Sequence, residues 1–256
     1  MHIIKKSTQH IDKIRTSGQY LTELLHILYQ QCTAGIMLKD LENTTKNYLD
    51  QHHLISAFKD FNGFPGQLCL SLNDSVVHGI PDRTLLKDWD VLKVDMGINY
   101  RGAISDSAFS IVIGGREKNP EGQLLIDITK WALDEGMKYV QPGKFIAEYS
   151  EAVADYVYSH NHSIIKNLTW HGVGTHVHED PNIYNYPHPS WYKIKFNPGM
   201  VVALEPITAK TSESYIEDKI NGWNLYTKHG DLGAQREYTV AITDNGPEIL
   251  AGIQSL

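Results

Sequence analysis

The residues of this chain best suited to chemistry are acids and imidazoles set at the ends of strand-like runs. Asp95 closes Asp90-Val-Leu-Lys-Val-Asp95, and Asp106 follows in Gly102-Ala-Ile-Ser-Asp106, the two runs joined around Asn99 to Gly102. This reads as a β-hairpin. If Tyr100 and Arg101 form its loop, antiparallel partners have numbers summing to 201, which sets Asp95 directly opposite Asp106. Opposed side chains stand ~5 Å apart and like charges there repel, so something positive is expected between them. Asp95 also shares an apolar run with Val91 and Lys93, and a buried carboxylate without a partner is costly enough that a metal or an arginine is the usual remedy. Taken alone, the pair reads equally as two acids on a solvent-facing strand.

Four further stretches carry the same kind of residue. Trp170-His171-Gly-Val-Gly174-Thr-His176-Val-His178-Glu179 flanks an imidazole with glycines that permit close approach to a ligand, and His176 and His178 share a face if the segment is extended. Glu205 ends the apolar run from Met200 to Leu204, and Glu237 heads Glu-Tyr-Thr-Val-Ala-Ile-Thr. Alternation puts Glu237 and Thr239 on the face opposite Tyr238, Val240 and Ile242. His78 lies in a Gly-Pro turn after a strand, where a plain loop histidine is the alternative. Each acid alone is as readily a surface side chain. Together, four carboxylates and one imidazole at strand ends match the charge of two divalent cations, an inventory suited to metal-assisted hydrolysis.

The elements that must position these groups follow from periodicity. Ile11, Ile14, Leu21, Leu24, Leu25 and Leu28 predict a helix over about 8–31, and Leu38, Leu41, Tyr48 and Leu49 a second. Strands are predicted at 68–72, 91–98 and 108–113, helices at 124–140 and 145–160, then strands near 200–204 and 238–243. The order helix-helix-strands is thus written twice. No Gly-, Ser- or Pro-rich linker separates the halves, which predicts one α+β domain over 1–256 with a cleft between two similar halves. Hydrophobic residues at 41% and charged residues at 21% exclude disorder. A net charge of -7 argues against a nucleic-acid-binding face. No apolar run approaches a membrane span, and two cysteines, Cys32 and Cys69, with no export signal point to the cytoplasm.

The motifs together resemble the type I methionine aminopeptidases of pita-bread fold. Asn73 to Asp82 is similar to that family's Asn-x-x-x-x-His-Gly-Ile-Pro-Asp loop. The aspartate hairpin, the His-Gly-x-Gly segment with its later His-Glu-x-Pro, the Glu-Pro pair and Ala-Gln-x-Glu-x-Thr follow in the family's order. The resemblance implies two pseudo-symmetric helix-helix-strand halves around a central curved antiparallel sheet. It implies Asp95, Asp106, His171, Glu205 and Glu237 as ligands of two divalent ions, whether cobalt, manganese, iron or zinc, with a bridging hydroxide as nucleophile. Glu205 would also carry the proton, and His78 and His178 would contact substrate and oxyanion. Phe58, Phe61, Phe64, Cys69 and Trp223 would form a soft side-chain pocket, with core packing as the alternative for these aromatics.

The implied activity is removal of the initiator methionine when the second residue is small. The implied partners are nascent-chain N-termini, with transient ribosome contact, no nucleic acid, no membrane, and a monomeric protein. His176 and Val177 stand where the family usually has glycine and phenylalanine, Phe61 and Phe64 where it has tyrosines, Val77 where cysteine is frequent, and Arg236 and Tyr238 where an aromatic and a histidine are typical. Two relatives of the same fold fit less well. Aminopeptidase P and prolidase generally carry a large N-terminal domain, whereas 94 residues precede Asp95 here, and the helical insert of type II enzymes has no room between Glu205 and Glu237. A metal-free binding module of the same fold is the rival outside enzymology, and metal content and peptide turnover separate the two.

Overall fold

The computed structural model describes residues 2–256. Helix α1 (Thr8–Gln31) starts where the Ser7 hydroxyl accepts the His10 N–H at 3.2 Å, which satisfies one of the orphan donors of the first turn. Its buried stripe is Ile14, Leu21, Leu24, Leu25 and Leu28, with the predicted Ile11 only half-buried at its start. α2 (Leu38–His52) follows, then β1 (Ile55–Ser56), β2 (Cys69–Leu72), β3 (Ser75–Val77), β4 (Val91–Tyr100) and β5 (Ala103–Val112). The second half repeats the order with α3 (Pro120–Met137) and α4 (Ile146–Ser159), then β6 (Ser163–Ile164), β7 (Thr169–Gly172), β8 (Glu179–Tyr184), β9 (Val201–Leu204) and β10 (Ile207–Ala209). The chain ends with β11 (Tyr215–Glu217), β12 (Leu225–Thr227), β13 (Gly233–Gln235), β14 (Tyr238–Thr243) and β15 (Gly246–Ala251).

All strand pairings are antiparallel among the described residues. One sheet groups β1, β2, β4 and β5, and a second runs β15-β14-β9-β7-β8. Each half has its own apolar core. Leu24, Leu28, Leu92, Val94 and Phe109 pack in the first, and Leu133, Tyr149, Trp170, Phe196, Val202 and Tyr238 in the second. The two sheets meet at a seam where hydroxyls take the place of a regular ladder. The Thr239 hydroxyl accepts the Asp106 N–H at 2.8 Å and donates to the Asp106 carbonyl at 2.6 Å. Ser107 donates to the Glu237 carbonyl at 2.6 Å, Ser110 donates to the Gln235 carbonyl at 2.8 Å, and the Glu237 N–H donates to the Ala108 carbonyl at 3.0 Å. Because these polar residues are satisfied across the seam, β5 extends back to Ala103, five residues before the apolar pattern begins.

The hairpin corrects one expectation. Its loop is Arg101-Gly102, with φ of 53° and 81°, and Tyr100 pairs with Ala103. Two successive residues at positive φ are what a two-residue turn needs to match the twist of the strands, and Gly102 meets that demand where Tyr100 does not. The Asn99 side chain closes the turn by accepting the Gly102 N–H at 2.8 Å. Asp95 therefore faces Ala108 and Asp106 faces Gly97, so the aspartates are diagonal rather than opposed. The offset is two residues, an even number, so both remain on one face.

Candidate metal centre

The second sheet brings the remaining ligand candidates to that face. β9 ends at Leu204, immediately before Glu205, and lies between β7, which carries His171, and β14, which Glu237 precedes. Asp95, Asp106, His171, Glu205 and Glu237 are all buried and all line one cavity of about 250 Å³. Single ligand atoms of Asp106, His171 and Glu237 lie within 4.8 Å of one another. His171 Nε2 stands 3.3 Å from Glu205 Oε1. The His171 Nδ1 lies 3.0 Å from the Gly172 carbonyl, so it carries the ring hydrogen and Nε2 presents a lone pair to the cluster.

This arrangement fits cations. A lone pair and a carboxylate oxygen facing each other at 3.3 Å repel unless a proton or a metal lies between them. Asp95 Oδ1 and Asp106 Oδ1 are buried without a hydrogen-bond partner, which is rare for a carboxylate oxygen. One side chain bridges part of the set: Gln235 Nε2 donates to Asp95 Oδ2 and to Glu205 Oε2, each at 3.2 Å. Burial pushes Asp95 and Glu205 up to about 8, Asp95 further through the Glu205 charge, and it lifts Asp106 and Glu237 well above the carboxylate range, helped by their acidic neighbours. Burial also lowers His171 to about 4. Carboxylates that resist ionisation beside an imidazole that resists protonation are what a cation site becomes when only protons compensate the charge.

The other predicted residues surround this floor. His78, Phe58, Phe61, Phe64, Cys69, Trp223 and His178 all line the cavity. The Trp223 ring meets Phe64 edge-on at 5.1 Å and His78 at 6.4 Å, and His178 lies 4.3 Å from His171 and 5.4 Å from Phe61 between ring centroids. Burial, with the neighbouring His178, holds His78 at about 4. His178 is likewise depressed, by burial and by His171.

The segment around it corrects a second expectation. Residues 174–178 form a tight loop rather than an extended strand, with the Gly174 N–H donating to the His176 carbonyl at 3.2 Å. His176 is exposed and outside the cavity, so the two histidines do not share a face. The wall also includes Val77 and Val177, two of the departures noted in the sequence, and Asn62, Asn167, Asn182 and Ile207, which the sequence did not single out. Thr239 was legible as a neighbour of Glu237 on one strand face, and Gln235 as part of the Ala-Gln-x-Glu-x-Thr motif, though their bonds to Asp106, Asp95 and Glu205 were not.

A cleft floored by buried carboxylates and one imidazole at a sheet seam defines a metal-dependent hydrolase. The chain belongs to metallopeptidase family M24, which it matches over residues 12–244. It is 34% identical over 251 residues to a methionine aminopeptidase of Clostridium acetobutylicum, with 98% of each chain covered. The crystal structure of methionine aminopeptidase from Rickettsia prowazekii superposes with a TM-score of 0.93 at 27% identity, over 98% of this chain and all of that one. A prolidase from Pyrococcus furiosus shares the pita-bread fold at 19% identity and a TM-score of 0.78, with this chain spanning 66% of its length. No helix among the described residues is long and apolar enough to cross a membrane.

Proposed function

We propose that this protein is a metal-dependent methionyl aminopeptidase, which removes the N-terminal methionine of nascent chains when the second residue is small. Residues 1–256 work as one catalytic unit. The observation that carries the reading is the convergence of four buried carboxylates and one imidazole, with two orphaned oxygens, beneath an aromatic-lined cavity. Asp95, Asp106, His171, Glu205 and Glu237 would hold two divalent ions. Such ions supply Lewis acidity to the scissile carbonyl and make water acidic enough to attack it near neutral pH.

The chain's own side chains do the rest. Glu205, whose Oε1 faces His171 and whose Oε2 accepts from Gln235, is placed to take a proton and return it to the leaving amine. His78 and His178 stay neutral at pH 7, so each can donate a ring N–H to the developing oxyanion without being drawn to the carboxylates as a cation. Phe58, Phe61, Phe64, Cys69 and Trp223 offer a soft, polarizable wall that suits an unbranched thioether. A free α-amine would be drawn to the metal-bearing acidic floor, which would limit cleavage to the first residue.

The test is a peptide panel of Met-Ala, Met-Leu and Ala-Pro sequences, assayed after chelation and after return of manganese, iron, cobalt or zinc. The reading expects metal-dependent methionine release, strongest with alanine second, and negligible cleavage before proline.

A further inference from the structure

Lys6 and Glu179 form an ion pair that the chemistry above does not use. The side chains are 2% and 1% exposed, and at that depth stripping water from each ion costs several kcal/mol unless every donor and acceptor is matched. They are matched. The Glu179 oxygen not paired with Lys6 accepts the N–H of Thr175 at 2.6 Å and of His176 at 2.9 Å. The Lys6 ammonium also donates to the Ile4 carbonyl at 3.0 Å, and the Lys6 N–H is fixed to the Gly199 carbonyl at 2.7 Å.

The loop bonded to Glu179 lies directly on the lysine stem. Gly174 has φ +137°, and a Cβ there would meet Lys6 Cε and Ile14 Cδ1 at 2.8 Å each, so only glycine lets the loop seat this closely. Val177 and His178, the residues that this loop delivers to the cavity wall, come immediately after the two N–H groups that Glu179 holds. A buried ion pair is a weak source of stability, because a well-packed apolar pair often does as well. What it does supply is one fixed geometry, since both charges are satisfied only when the loop and the segment before α1 are in register.

We propose that Lys6 and Glu179 are positioning residues for His178, clamping loop 174–178 in the arrangement that turns its imidazole into the cavity. The proposal rests on the aminopeptidase reading for what His178 does, and on the geometry alone for how it is held.

Two variants test it. Lys6→Met keeps the stem without the charge, and Glu179→Gln keeps an oxygen before both N–H groups while removing the ion pair. In the metal-loaded protein, imidazole ¹H–¹⁵N spectra of either variant should show the His178 signals moved or broadened and those of His78 in place. On a Met-Ala peptide, kcat should fall ~10–100-fold, as expected for a misplaced group, with KM and the calorimetric affinity for manganese little changed. Combined with His178→Ala, neither variant should cost anything beyond His178→Ala alone. Unmoved His178 signals, or losses that multiply in the double variant, would overturn the proposal. If Lys6→Met does not fold, Glu179→Gln carries the same test. If the wild-type protein releases no methionine, the spectra still decide whether the clamp exists.

Discussion

Asp95, Asp106, Glu205 and Glu237 repel one another in the metal-free protein, and this gives its stability a particular pH dependence. Carboxylates raised from about 4 in the unfolded chain to about 8 at Asp95 and Glu205 stabilise the fold fully below the lower value, and lose that contribution as pH rises through the higher. His78 and His171, lowered to about 4, act oppositely: their contribution is present above about 6.5 and lost as pH falls through 4. Chelated protein should therefore melt at its highest temperature on the acid side of neutrality and lose stability toward pH 9, and saturating metal should abolish the alkaline decline. Melting curves across pH with and without chelator measure this. Asp106→Asn removes one of the acids whose ionisation burial and its acidic neighbours oppose, so it should raise the metal-free melting temperature at pH 8. It should also weaken metal binding by more than the ~10–100-fold typical of losing a ligand's outer partner, and abolish turnover. Full activity in that variant would remove Asp106 from the site. The acids stood out in the sequence at the ends of apolar runs, and the family resemblance implied their roles as ligands. The Lys6–Glu179 pair was not legible, since nothing in a sequence signals a contact between residues 173 positions apart.

At the scale of elements, the hairpin and the seam decide where the ligands stand. The face of each aspartate was legible, because side chains alternate strictly and the register offset was even. The exact pairing was not, because it hung on which two residues of Asn99 to Gly102 adopt positive φ. The extent of β5 was hidden for another reason: Ser105, Asp106 and Ser107 break the apolar pattern, and only the seam shows that they are buried. Thr239→Val tests the seam. It strips both bonds from the Asp106 backbone, should destabilise the protein by ~1–3 kcal/mol, and should weaken metal binding, with Thr239→Ser recovering most of the loss. Gly97→Ala tests the pocket from beneath. The new Cβ would meet Phe58 Cε1 at 2.8 Å and Ala57 Cβ at 3.0 Å, so the Phe58 ring must move, and KM for methionyl peptides should rise while metal affinity holds.

For the whole molecule, the site spans both halves: Asp95 and Asp106 come from the first sheet, and His171, Glu205 and Glu237 from the second. Cations bound there would tie the halves together. At a hundredfold excess over Kd, one site adds ~2.7 kcal/mol, worth roughly 5–10 °C in Tm for a chain of this size, and scanning calorimetry against metal concentration reads it. The doubled helix-helix-strand order was legible from periodicity. The cleft between the halves was expected too, but the seam that joins them was not legible, because it depends on hydroxyl bonds between strands far apart in the chain. At this scale the cleft is a metal-dependent, methionine-releasing site. It is tested most directly by following free methionine from a Met-Ala peptide with chelated protein, before and after metal is restored. No release is expected before and sustained release after, with an Ala-Pro peptide untouched in both. Release that survives chelation, or cleavage of Ala-Pro in place of Met-Ala, would contradict it.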